Sequence, residues 1–275
     1  MANVRIIYNN VAESASSISA STTVSNGLSA NTLATNSKSL AHRSTGTTVT
    51  YTLTWSSAQQ INGIVLPATN LSSTATISVL INGTTTISAV NACQNTTLDS
   101  YPGVKNVNSF PYGGLSKTAL WFSTTYSVTT LAITLTDTGK TSLGNPVYPS
   151  YIDCSRIICG KYWEPSLGVS KEGLEITISD TTQTTRSDAG DLYSDRGNIY
   201  DQLNFNLAVL DKTDREELIK IMKYVGSYRN IAVSIFPEGN NRNEQDYLIY
   251  GKRETSGIGY LVHNFYSNSF SITGW

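Results

Sequence analysis

The sequence predicts a mainly β protein: an N-terminal β-sandwich over residues 1–165, then a smaller α+β domain over 166–275 with one helix on an antiparallel sheet. Three observations predict it. The chain's 275 residues exceed one ordinary domain and suit two. Charge is divided unevenly, with 8 Lys/Arg and 5 Asp/Glu in residues 1–165 against 11 and 15 in the shorter remainder. Apolar residues recur at period two along much of the chain and at helical spacing in one place.

Ser, Thr and Asn supply 46 of the first 100 residues, a composition that by itself would fit disorder. Their placement predicts strands instead. Thr48 to Trp55, Ala75 to Ile81 and Val128 to Leu135 alternate polar with large apolar residues, the pattern of strands buried on one face. Threonine suits the outer face, because its branched Cβ fits the pleat while its hydroxyl meets water. Asn62-Gly63 and Asn82-Gly83 sit between apolar runs and predict tight hairpins. Pro67 predicts the end of the strand Ile64-Val65-Leu66, since it has no N–H for a ladder. Between Leu98 and Gly114 the chain reads as a long loop, and Asn145 to Pro149 as a second one leading to Ile157-Ile158.

The second part begins with alternating runs at Leu174–Ile178 and Leu203–Val209. Thr213 with Glu216 forms a capping-box pair, Leu218, Ile219, Met222 and Val225 follow at helical spacing, and Gly226 supplies a stop. After the helix come short strands at 231–236, 247–250, 260–265 and 270–272, with Gly239 to Asn243 as a hairpin tip.

Composition excludes several functions. A net charge of −1, from 19 basic and 20 acidic residues, argues against nucleic-acid binding, which needs a strongly basic face. No run of about 18 apolar residues predicts a membrane helix. The opening residues lack a basic-then-apolar leader pattern, so the chain is expected to fold where it is made. Three cysteines and two histidines lack paired zinc-ligand spacing, so no metal or other cofactor is expected and Cys93, Cys154 and Cys159 read as buried thiols. His42 reads as a structural group at a strand edge and His263 as an ordinary strand residue, so no catalytic residue is assigned. Asp188, Asp191 and Asp195 could carry a depolymerase, but Arg186 and Arg196 flank them and an ion-paired loop is the simpler reading. No enzyme is expected. Tyr101, Phe110 and Tyr112 are the candidate carbohydrate-binding residues, because a loop bearing three aromatics can stack on sugar rings.

Two stretches carry a resemblance. Asn36 to Ser44, Val49 to Leu53 and Ile61 to Ser72 (Ile-Asn-Gly-Ile-Val-Leu-Pro-Ala-Thr-Asn-Leu-Ser) resemble the opening of a galactose-binding-like (discoidin-like) jelly roll. Arg186–Asp195, Gln202–Leu210, the helix over 211–226, Ile231–Pro237 and Tyr247–Lys252 are similar to the C-terminal module of bacteriophage tail and baseplate proteins. The resemblance implies a non-enzymatic virion subunit made in the bacterial cytoplasm, a homo-oligomer whose partners are other tail or baseplate proteins. Symmetric rings satisfy such subunits by repeating one contact until it closes. The alternative is a virion carbohydrate-binding module for receptor recognition, with a host glycan as partner.

Overall fold

The computed structural model describes residues 3–93, 116–139, 150–170, 172–195, 197–262 and 264–275. The protein is mainly β, as the alternating runs predict, with antiparallel sheets and two α-helices among the described residues. It divides into two compact units, residues 1–164 with 232–248 and residues 165–231 with 249–275.

The first unit is built on two long antiparallel strands, Thr48–Thr69 and Ser116–Thr136, paired from Thr48↔Thr136 to Thr69↔Ser116. Thr76–Ile81 adds to the Ser116–Thr136 strand and carries Thr85–Asn91 on its other edge. Ser17–Ala20 and Ile158–Gly160 pair with successive halves of Thr48–Thr69. Register slips at Thr54/Gln59, Ile61/Gly63 and Leu66/Thr69 bend the long strand, so Tyr51, Leu53 and Trp55 from one half and Ile61, Ile64 and Leu66 from the other reach one core. Trp55 is buried there, and its indole N–H donates to Val11 O at 2.7 Å.

Two local signals acquire different meanings in this setting. Asn82 and Gly83 do turn a hairpin, with φ of 51° and 69°. Asn62-Gly63 instead lies inside the long strand at a bulge, and no tight turn forms there. Asn62 uses its freed side chain to accept from Tyr162 N at 2.7 Å, while a Cβ on Gly63 would lie 2.9 Å from the Trp121 ring. Pro67 does not close the strand either, since it sits at the Leu66/Thr69 irregularity where no ladder N–H is required.

Residues 232–248 belong to this unit through pairing and side chains. Ala232 to Ser234 pair with Arg5–Ile7, whose other edge carries Tyr162–Trp163. The run 239–243 is not a hairpin tip: Asn241 caps the short helix Arg242–Tyr247 by accepting from Glu244 N.

The second unit places Ile199–Leu210 between Glu175–Asp180 and Phe265–Gly274. Residues 251–253 of the Leu248–Arg253 strand and the strand Ile258–Val262 pair with Phe265–Gly274. Asn264, at φ 64°, turns the last hairpin, so the run 260–265 spans a turn and is not one strand. Helix Lys212–Val225 packs on Ile199–Leu210 and Phe265–Gly274, burying Leu218, Ile221 and Val225, while Phe205 and Phe270 stack at 4.8 Å in the sheet. Its N-cap is Asp211, which accepts from Asp214 N at 2.7 Å, two residues before the Thr213 that the sequence pattern favours. Gly226 ends it at φ 57°, as expected of a helix stop.

Candidate functional site

The aromatic loop bearing Tyr101, Phe110 and Tyr112 lies outside the described residues, as do His263 and Arg196. The remaining candidates are distributed over both units.

His42 is buried, and its ring bridges Thr23 Oγ1 at 3.0 Å and Tyr51 Oη at 3.1 Å. Burial pulls its basicity below the ordinary imidazole range, with the nearby Asp153 charge opposing. A Thr–His pair resembles a nucleophile and its base, but catalysis needs a carboxylate on the far ring nitrogen to hold the imidazolium. Here that position carries a tyrosine hydroxyl, and Asp153 is engaged elsewhere. Its two oxygens accept from Arg43 Nε and Nη2 at 2.8 Å each, a bidentate pair. The Arg43 guanidinium lies 4.0 Å from the centre of the Tyr151 ring, and its side chain is 39% exposed. Arg43 and Tyr151, both partly exposed, thus sit with the buried Asp153 as a donor, a ring and an acceptor, a set that sequence reading missed. Asp153 is separated from Arg43 by 110 positions, and the two meet as direct partners, Arg43↔Asp153, in the pairing of two short strands.

The cysteines Cys93, Cys154 and Cys159 are buried, as the sequence reading expects. Burial pushes the Cys154 thiol up to about 12 and raises that of Cys159 as well, so neither is poised as a thiolate. No group of three or more metal-ligating side chains forms among the described residues.

A second polar cluster in the first unit is structural. Glu244 is fully buried, where it accepts from Trp121 Nε1 (2.7 Å), Ser234 Oγ (2.9 Å) and Asn240 N (2.6 Å). Asn240 accepts from Ala119 N and donates to Asn91 O, and Gln245 accepts from Lys117 N while donating to its carbonyl. These side chains satisfy backbone groups along the edge of Ser116–Thr136, so residues 239–245 act as a clasp on that strand. Burial raises the Glu244 carboxyl above its ordinary range, with hydrogen bonds from Trp121, Asn240, Ser234 and the Gly239 backbone opposing.

The second unit carries a different feature. Strands Gln183–Arg186 and Leu192–Asp195 pair as a two-stranded ribbon, Gln183↔Asp195 to Arg186↔Leu192. Thr181 N donates to Asn198 O, and Gly197 N to Thr182 Oγ1, so the ribbon continues the Glu175–Asp180/Ile199–Leu210 hairpin outward. Every described residue of the two ribbon strands is exposed, including Leu192 (59%) and Tyr193 (60%). The sequence's acidic cluster is therefore the end of an arm. Asp188 and Asp191 are exposed at the tip, and Arg186 donates to Gly190 O at 2.9 Å. At the arm's base, Ile178 and Ile199 extend the apolar face of the sheet into water. Nothing in this arrangement brings two carboxylates together on opposite sides of a cleft, the geometry that glycoside hydrolysis needs.

No family model and no curated protein matches the chain. Among solved structures it is similar to chitosan-binding module 1 of a chitosanase/glucanase from Paenibacillus sp. IK-5, at 16% identity over 56% of this chain and 99% of that one, with a TM-score of 0.36. It is also similar to a Streptococcus pneumoniae fucose binding module, at 7% identity over 56% and 99% and a TM-score of 0.36. A fucolectin from striped bass (Morone saxatilis) serum matches at 10% identity over 96% and 92%, with a TM-score of 0.35. Likenesses at this level leave function to be argued from the chain's own residues.

Proposed function

We propose that this chain is a non-catalytic structural subunit that assembles with other copies through its second unit. One observation carries the reading. Of fourteen exposed large apolar side chains among the described residues, Leu28, Leu80 and Val90 lie in the first unit and the other eleven in the second. An isolated two-stranded ribbon is marginal in water, and open strand edges invite pairing with another chain. An arm with both faces bare and Leu192 and Tyr193 on its outer strand gains its order from a partner. The similarity of Arg186–Asp195 and the elements after it to tail and baseplate modules supports a virion tail as the setting, with subunits made in the bacterial cytoplasm. Sedimentation velocity across a concentration series tests the reading. The whole chain is expected to sediment as an assembly, and the paired substitution Leu192→Ser/Tyr193→Ser as a monomer. A wild-type chain that stays monomeric throughout would contradict it.

A second reading, carbohydrate recognition by the first unit, is favoured by the Arg43, Asp153 and Tyr151 cluster. A carboxylate and a guanidinium beside a ring match the hydroxyls and the apolar face of a sugar. The structures named above are a chitosan-binding module, a fucose binding module and a fucolectin, which makes host glycans the ligands to test. Binding on a glycan array that is lost with Arg43→Ala would place recognition at this cluster. Loss with Tyr112→Ala would place it at the aromatic loop, and a blank array would remove the reading.

A further inference from the structure

The arm needs an acceptor, and the same unit carries one whose chemistry complements it. Helix Lys212–Val225 ends in a cluster of exposed aromatic and basic side chains. Tyr224 is 40% exposed and Tyr228 65%. The Arg229 guanidinium lies 4.1 Å from the Tyr224 ring centre and 5.3 Å from that of Tyr228, and its Nε donates to Tyr228 Oη at 2.7 Å. Lys223 stands exposed in the last helical turn. Two tyrosines preorganised around an arginine make the residue combination that anchors protein interfaces, because little rotamer freedom remains to be lost on docking.

The occupant follows from charge and shape. The described arm residues 183–195 hold Asp188, Asp191 and Asp195 against Arg186, with Arg196 next in sequence. At the tip itself only Asp188 and Asp191 stand in the turn, since Arg186 is drawn onto the Gly190 carbonyl. Behind the tip, Tyr193, on the ribbon face away from Arg186, supplies the apolar surface that Tyr224 and Tyr228 can cover. Tip and helix end are both exposed within one subunit, so both are open to a second copy.

We propose that the arm tip of one copy docks on the Tyr224–Tyr228–Arg229 cluster of a second copy. Asp188 and Asp191 face Lys223 and Arg229 across the contact, and Tyr193, on the ribbon face opposite Leu192 and Arg186, packs on the two tyrosines. Donor and acceptor are different surfaces of the same chain, so the contact is head-to-tail and repeats around a ring or along a filament. It deepens the assembly reading proposed above and rests on it.

Charge exchange tests it. All four charged residues are at the surface, so the substitutions leave the core untouched. Asp188→Lys/Asp191→Lys and, separately, Lys223→Glu/Arg229→Glu should each weaken self-association in sedimentation velocity by about tenfold or more, since each sets like charges against one another. Joining all four substitutions in one chain should restore assembly, and wild-type assembly should weaken as salt rises. If the wild type assembles and Lys223→Glu/Arg229→Glu assembles equally well, this acceptor is wrong and the assembly reading survives. Failure of the four-fold variant to recover also overturns the pairing. A wild type that never associates overturns both.

Discussion

Removing the Glu244 carboxylate should destabilise the first unit more than any surface change. Its two oxygens accept three hydrogen bonds in a fully buried site, with Oε1 taking Trp121 Nε1 and Ser234 Oγ and Oε2 taking Asn240 N. In Glu244→Ala all three donors lose their acceptor. A buried donor left unsatisfied costs about 1–3 kcal/mol, and partial relaxation makes the three less than additive. The expected loss is therefore about 3–5 kcal/mol, at the upper end for single substitutions. Glu244→Gln is the informative control. Its carbonyl can keep the place of Oε1 on Trp121 and Ser234, which turns its NH2 against Asn240 N–H, so about 1–3 kcal/mol should be lost. Urea unfolding followed by tryptophan fluorescence gives both values, because Trp121 reports directly on the clasp. An alanine variant within about 0.5 kcal/mol of wild type would refute the reasoning, since that is the range of ordinary surface substitutions.

Three further outcomes are expected. Gly63→Ala should cost about 1–3 kcal/mol in the same assay, because its Cβ would meet Trp121 Cζ3 at 2.9 Å and Ile7 Cδ1 at 3.0 Å; no loss would mean the bulge is looser than described. Asp211→Ala should cost about 1 kcal/mol by removing the N-cap, while Thr213→Ala should cost far less; the reverse order would return the cap to Thr213. The native fold favours neutral His42, so its contribution to stability is complete above the unfolded value of 6.5 and is lost as pH falls through it toward the lower folded value. Relative to His42→Gln, wild type should lose up to about 1.4 kcal/mol per pH unit in that window, and a difference that does not vary with pH would contradict the burial argument.

The strands were legible because their information is local. Val49, Tyr51, Leu53 and Trp55 face inward at alternate positions whatever they pair with, and the helix shows its period in Leu218 and Val225, although Ile221, and not Ile219 or Met222, completes the buried face. Punctuation was less legible. Asn62-Gly63 and Asn82-Gly83 are the same dipeptide, yet the first is a bulge and the second a turn, because Trp121 and Tyr162 stand beside only the first. The clasp was hidden for a related reason: Glu244 and Gln245 answer Trp121 and Lys117, more than 120 positions away. Leu192 and Tyr193 are adjacent, so they face opposite sides of the ribbon, and nothing within the segment announces that no third strand or helix covers either face. Arg43 and Asp153 likewise meet only through the pairing of two strands far apart in the chain.

In the assembly proposed above, the arm finds its partner in another copy. Hydrogen exchange of the backbone amides over residues 183–195, measured across protein concentration, tests this most directly. Protection that rises with concentration, and that stays low at every concentration in Leu192→Ser/Tyr193→Ser, is the predicted result. Exchange at one fast rate from the most dilute to the most concentrated sample would contradict it.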